Sequence, residues 1–79
     1  MTARILKRSL SIAGHRTSIS LEEAFWSALK EAATRRELSI AALVAQIDGT
    51  RAPEANLSSA IRVFLLQEAA RRSQDESSS

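Results

Sequence analysis

Through residues 8–21 polar and apolar residues alternate almost one by one, the signature of strands that lay one face on a core. In Arg16-Thr17-Ser18-Ile19-Ser20-Leu21, Arg16, Ser18 and Ser20 share one face while Thr17, Ile19 and Leu21 share the other. Arg8 to Ile12 alternates as well, but its apolar Leu10 and Ile12 are even-numbered whereas Ile19 and Leu21 are odd. The intervening Ala13-Gly14-His15 must absorb that slip. A β-bulge at Gly14 would let one long strand continue. A two-residue Gly14-His15 turn would instead fold a hairpin, pairing Ile12 with Thr17 and Leu10 with Ile19 on a shared face. Both solutions stay open.

Beyond Leu21 the period lengthens to that of helices. Ser20-Leu21-Glu22-Glu23 fits a capping box, Ser20 accepting from the Glu23 amide and Glu23 reaching back, so a helix is expected from Glu22 to Arg36. Acids in its first turn and arginines in its last suit the helix dipole. Phe25, Leu29 and Ala32 or Ala33 form its apolar stripe, with Trp26 beside it at a core edge or a subunit contact. Ser39 is the expected N-cap of a second helix, Ile40 to Ile47, whose Ile40, Leu43, Val44 and Ile47 keep the spacing of a buried face. Asp48 to Ala55 reads as a loop, Gly49 ending one helix and Pro53 unable to continue it. A third helix is expected from near Asn56 or Ser58 to Arg72. Its Ile61, Phe64, Leu65 and Leu66 span an arc too broad for one small neighbour, which favours burial between subunits. Residues 1–7 are expected to be a flexible basic arm and 73–79 a disordered polar tail, bracketing one domain over 8–72.

Composition narrows the possibilities. A chain of 79 residues makes one domain at most and buries only about 60% of its unfolded surface. It has no cysteine, and its lone His15, read as a turn residue, has no partner with which to hold zinc. Oligomerisation is the remaining common source of stability. No apolar run approaches the roughly 20 residues of a membrane span, and the N-terminus lacks the marks of a signal peptide. A cytoplasmic protein with no membrane partner is therefore expected. Net charge is +2, yet residues 1–21 carry four of the eleven basic residues and none of the nine acids. An acid-free basic end suits phosphate. An enzyme is not indicated, because there is no Gly-rich phosphate loop, no histidine constellation and no paired carboxylates in a plausible cleft; no cofactor or metal is expected.

The polar face of residues 16–21 offers a guanidinium and two hydroxyls. Arginine can grip guanine with two hydrogen bonds, serine can bond several bases, and the DNA major groove admits a two-stranded β-ribbon. A four-stranded sheet built from two hairpins would be too broad to enter as a simple ribbon, and would count against groove reading. The unpaired amides at the start of the second helix form an anion site that the small Ser39, Ala41 and Ala42 leave open.

Strand, helix, short turn with a Ser N-cap, then a second helix: over Arg16 to about Ile47 this order resembles the ribbon-helix-helix DNA-binding family of the Arc and MetJ type. The wider run from Lys7 to Glu22, with the later Asn56-Leu57-Ser58-Ser59-Ala60-Ile61-Arg62-Val63-Phe64, is similar to a stand-alone bacterial subfamily of that group. The resemblance implies a mainly α fold with a short N-terminal β-strand, a homodimer whose two Arg16 to Leu21 strands form an intermolecular antiparallel β-ribbon, and a third C-terminal helix extra to the minimal fold. It implies a transcriptional regulator, a repressor, with double-stranded DNA as partner. Its base-contacting positions fall on Arg16, Ser18 and Ser20. Its phosphate position falls on Ser39 and the amides of Ile40 and Ala41; the acid-free basic end adds Arg4, Lys7 and Arg8 as further phosphate candidates. Its dimer core falls on Ile19, Leu21, Leu29, Leu43 and Val44. The family often carries longer polar side chains than Ser18 and Ser20, so readout here is expected to lean on Arg16, phosphates and DNA shape. The alternative is a dimeric or higher-order assembly module, antitoxin-like, that holds a protein partner on the third helix with weak or no DNA binding.

Overall fold

Two extended segments, Ile5–Ile12 (β1) and His15–Glu22 (β2), fold back on each other as a two-stranded antiparallel sheet. Helices Glu23–Arg35 (α1), Ile40–Thr50 (α2) and Leu57–Ser77 (α3) follow. The structure, a computed structural model, describes residues 4–51 and 56–77. Of the two ways to absorb the parity slip the chain takes the turn, one residue earlier than expected. Ala13 and Gly14 make it, so Ile12 faces His15, Leu10 faces Thr17 and Arg8 faces Ile19. The expected Ile12–Thr17 and Leu10–Ile19 pairs are displaced by two residues, and because two is the strand period the faces survive. Ala13 has φ 50° and Gly14 φ 83°. Paired positive φ marks a type I′ turn, whose twist matches that of the strands it joins.

The even residues of β1 and the odd residues of β2 face the helices. Ile19, Leu21, Leu29, Leu43, Val44 and Ile61 are the largest fully buried side chains, and with buried Ile12 of β1 each element adds at least one residue to a single core. Trp26 ties α1 to β1: its indole N–H donates to the Leu6 carbonyl at 3.0 Å, and the ring is buried. The expected edge position of Trp26 is thus inside the protomer.

Local chemistry sets the helix ends. β2 runs on to Glu22 because the Arg4 carbonyl accepts the Glu23 amide at 2.7 Å, extending the ladder by one pair. Ser20 therefore stays in the strand and the expected capping box does not form; extended Glu22 is the N-cap, without a side-chain bond. α1 ends in a Schellman motif, the Leu38 amide donating to the Ala33 carbonyl at 2.9 Å and the Glu37 amide to the Thr34 carbonyl at 3.1 Å. Glu37, at φ 57°, holds the left-handed position that glycine usually fills. Ser39 caps α2, its hydroxyl accepting the Ala42 amide at 3.0 Å. Gly49 does not end that helix: α2 continues to Thr50, where the Thr50 hydroxyl donates to the Ile47 carbonyl and Arg51 pairs with Asp48 at 2.6 Å. Pro53 lies outside the described residues.

Asn56 caps α3 by accepting the Ser59 amide at 2.7 Å. The broad apolar arc of α3 is split: Ile61 and Leu65 are buried in the protomer, whereas Val63 and Leu66 are 53% and 70% exposed. β1 begins at Ile5, so residues 5–7 belong to the sheet rather than to an arm. α3 reaches Ser77, five residues past its expected end.

The two strained non-glycine positions yield a prediction. Glu37→Gly and Ala13→Asn should each stabilise the protein by about 1 kcal/mol, since a left-handed residue with a Cβ costs roughly that much and asparagine tolerates it better. Thermal unfolding at fixed protein concentration should show midpoints raised by about 4–8 °C per variant.

Candidate nucleic-acid interface

The hairpin register builds the candidate surface. On the face away from the helices, Lys7 lies opposite Ser20, Ser9 opposite Ser18 and Ser11 opposite Arg16. All are exposed except Ser20, which is half-buried. Arg16, Ser18 and Ser20 share this face as the alternation requires, and Lys7 joins them. Ser9 and Ser11 were not among the sequence candidates. The signal for them was present, since serines alternating with Leu10 and Ile12 must fall outward, but only the hairpin brings them beside β2.

Glu22 continues the same row, and a carboxylate there would oppose phosphate. Arg62 of α3 meets it, Nε donating to Oε1 at 2.9 Å, while the Arg62 guanidinium also stands over the Phe25 ring at 5.9 Å. That hydrogen bond holds the Glu22 carboxyl below its ordinary value of 4.5. Arg36 likewise holds down Glu68 on α3, donating to Oε1 at 2.8 Å. The two pairs pin α3 to the start of α1 and to its end.

The phosphate candidates divide between two places. Lys7 is on the outward face, but Arg8 is on the opposite face, its guanidinium 5.5 Å from the Trp26 ring centroid. There Arg8 lines an open cleft of about 390 Å³ with Leu6, Leu10, Trp26, Lys30 and Ile40; Glu23 is the acid at its rim. The start of α2 therefore sits beside β1 on the helix side. The Ser39 hydroxyl is already engaged as a cap, which leaves the first amides of Ile40 and Ala41 as its anion-binding groups. Arg4 is exposed just before β1.

The five expected dimer-core residues, Ile19, Leu21, Leu29, Leu43 and Val44, are at most 1% exposed within one chain. They are interior to the protomer. β1 also occupies one edge of β2, so β2 is not the bare single strand that the resemblance implies. In an antiparallel ladder, alternate residues direct their backbone groups to opposite edges. With Glu23 bonded to Arg4, the amides of Arg16, Ser18 and Ser20 point away from β1, to the open edge of β2. Among the described residues no His, Cys, Asp or Glu cluster could hold a metal ion, and no helix is long and apolar enough to cross a membrane.

An antiparallel β pair leading into two capped helices, with a third helix appended, is a ribbon-helix-helix fold. A family model for the ribbon-helix-helix domain matches residues 5–69, and the chain belongs to that family, whose members are in general DNA-binding regulators. Comparison with curated proteins and with solved structures gives no match.

Acid should loosen α3 first. Glu22 and Glu68 both titrate below the ordinary value in the folded chain, so the stability they add is present above pH 4.5 and is lost as pH falls through their folded values. Acid titration of stability should show this loss in the native chain and a flatter profile in Arg36→Ala and Arg62→Ala. Equal acid sensitivity in all three would reject the assignment.

Proposed function

We propose that the chain is a non-enzymatic transcriptional regulator, a repressor, that binds double-stranded DNA as a homodimer through the outward face of its hairpin. The observation that carries this reading is the composition of that face. Arg16, Ser18, Ser20, Lys7, Ser9 and Ser11 stand together on it, and its acid, Glu22, is engaged by Arg62. Family membership supplies the class of partner. The open edge of β2 is the natural seam between two copies, with β2 pairing antiparallel to its symmetry mate and Ile19 and Leu21 supporting the strand from below. Arg16, Ser18 and Ser20 of both copies then form the two central strands of the sheet, over the base edges. A bacterial regulator of this kind works in the cytoplasm, where the DNA is.

The intrachain hairpin alters how such a dimer meets the groove. Four strands spaced about 4.8 Å apart place the outer strand axes roughly 14 Å from each other, against a major groove about 12 Å wide. The sheet is too broad to enter whole. Only the two β2 strands fit over the base edges, and readout concentrates on Arg16, the one side chain of the three long enough to grip guanine with two hydrogen bonds.

A second reading, association through α3 as an assembly or antitoxin-like module, is favoured by one observation. Val63 and Leu66 are exposed beside Phe25, Ala28 and Ala69 in an apolar groove between α1 and α3. Persistent species larger than a dimer, with no DNA affinity at moderate salt, would favour it.

In fluorescence anisotropy against preferred and scrambled duplexes, Arg16→Ala should remove about tenfold or more of the sequence preference per half-site. Non-specific affinity should fall much less. Preference unchanged in Arg16→Ala would overturn the reading.

A further inference from the structure

The free edge of β1 has the chemistry of a phosphate site. The ladder that directs Arg4 toward Glu23 turns the odd residues of β1 the other way, so the Lys7, Ser9 and Ser11 amides point out along this edge. The side chains of the same three residues stand exposed on the outward face just above it. Just below it, Arg8 and Lys30 rim the cleft between β1 and α1. An edge strand left open in this way needs covering or charging, and Lys7 alone would serve as a guard against strand pairing. A guard requires neither the two hydroxyls beside it nor the two cations on the far side.

The breadth of the sheet gives the edge its occupant. Resting on the proposed β2 seam, a dimer sets each β1 about 7 Å from the central axis, half of the roughly 14 Å spanned by four strands. That is just beyond half the width of the groove, about 6 Å. The strand too wide for the groove lies over its wall, which is the sugar-phosphate backbone. Backbone amides, serine hydroxyls and lysine are the groups that bind phosphate oxygens there, fixing register without reading sequence.

We infer that β1 is a second DNA-contacting strand, clasping the phosphate backbone along its free edge with Lys7, Ser9 and Ser11 from above and Arg8 and Lys30 from below. The two strands of the hairpin then divide the work. β2 reads bases and β1 holds the rail.

Anisotropy titrations over a range of salt concentrations test this with wild type, Lys7→Ala, the Ser9→Ala/Ser11→Ala double variant, and Arg16→Ala as the control for the β2 reading. Circular dichroism and gel filtration establish that each surface variant keeps its fold and size. Lys7→Ala should weaken specific and scrambled duplexes alike and reduce the slope of log affinity against log salt by roughly 2, one phosphate per protomer. The double serine variant should weaken both duplexes by roughly tenfold with sequence preference intact. Wild-type affinity and slope in both β1 variants, alongside lost preference in Arg16→Ala, would overturn the clasp and leave the β2 reading standing. A change of preference in the serine variant would also overturn it, because β1 would then be reading bases. Absence of DNA binding by wild type at low salt would overturn both.

Discussion

Everything the outward face can do depends on two residues, Ala13 and Gly14, holding positive φ in succession. The apolar residues change parity between Leu10-Ile12 and Ile19-Leu21, and a straight strand would put one of these sets into solvent. A two-residue turn reverses the chain and restores a common face, because it pairs even positions with odd ones. The same reversal collects Lys7, Ser9 and Ser11 beside Ser20, Ser18 and Arg16. Core and candidate interface are thus two products of one backbone geometry. The cost falls on Ala13, where a Cβ occupies a conformation that suits glycine or asparagine.

Size is the second constraint, and α3 answers it. A hairpin with two short helices would leave the apolar sides of α1 and β2 partly open. Ile61 and Leu65 close that opening, and the Arg62–Glu22 and Arg36–Glu68 pairs anchor the helix on either side of it. A helix of 21 residues is about 31 Å long at 1.5 Å per residue, more than the small body it crosses can cover. Its second half is exposed from Leu66 to Ser73 apart from half-buried Glu68. The core is therefore filled within one chain, which leaves the backbone edge of β2, rather than shared apolar burial, as the seam of the proposed dimer.

The sequence disclosed most where a short-range rule decides. The face of each strand residue follows from a period of two, and the Ser39 cap and the buried stripe of α2 follow from local spacing; each is found where those rules place it. The ribbon-helix-helix order was readable over Arg16 to Ile47. What stayed hidden were features set by distant partners. The capping box at Ser20 failed because Arg4, nineteen residues from Glu23, extended the strand past it. Gly49 failed to end α2 because Thr50 and the Asp48–Arg51 pair hold one more turn. Arg8 and Lys7 look equivalent as neighbouring cations, yet the pleat sends them to opposite faces, and only the register reveals that Arg8 belongs with Trp26.

Placement of charge connects the appended helix to the interface. Glu22 must lie in the outward row because it follows Ser20 at the strand period, and unopposed it would set a carboxylate two positions from a candidate base contact. Arg62 cancels that charge from a helix that does not itself belong to the hairpin. The guanidinium is held in turn by the Phe25 ring, so its position depends on how α3 packs against α1. The helix that completes the core is thereby also part of the electrostatics of the face on its far side.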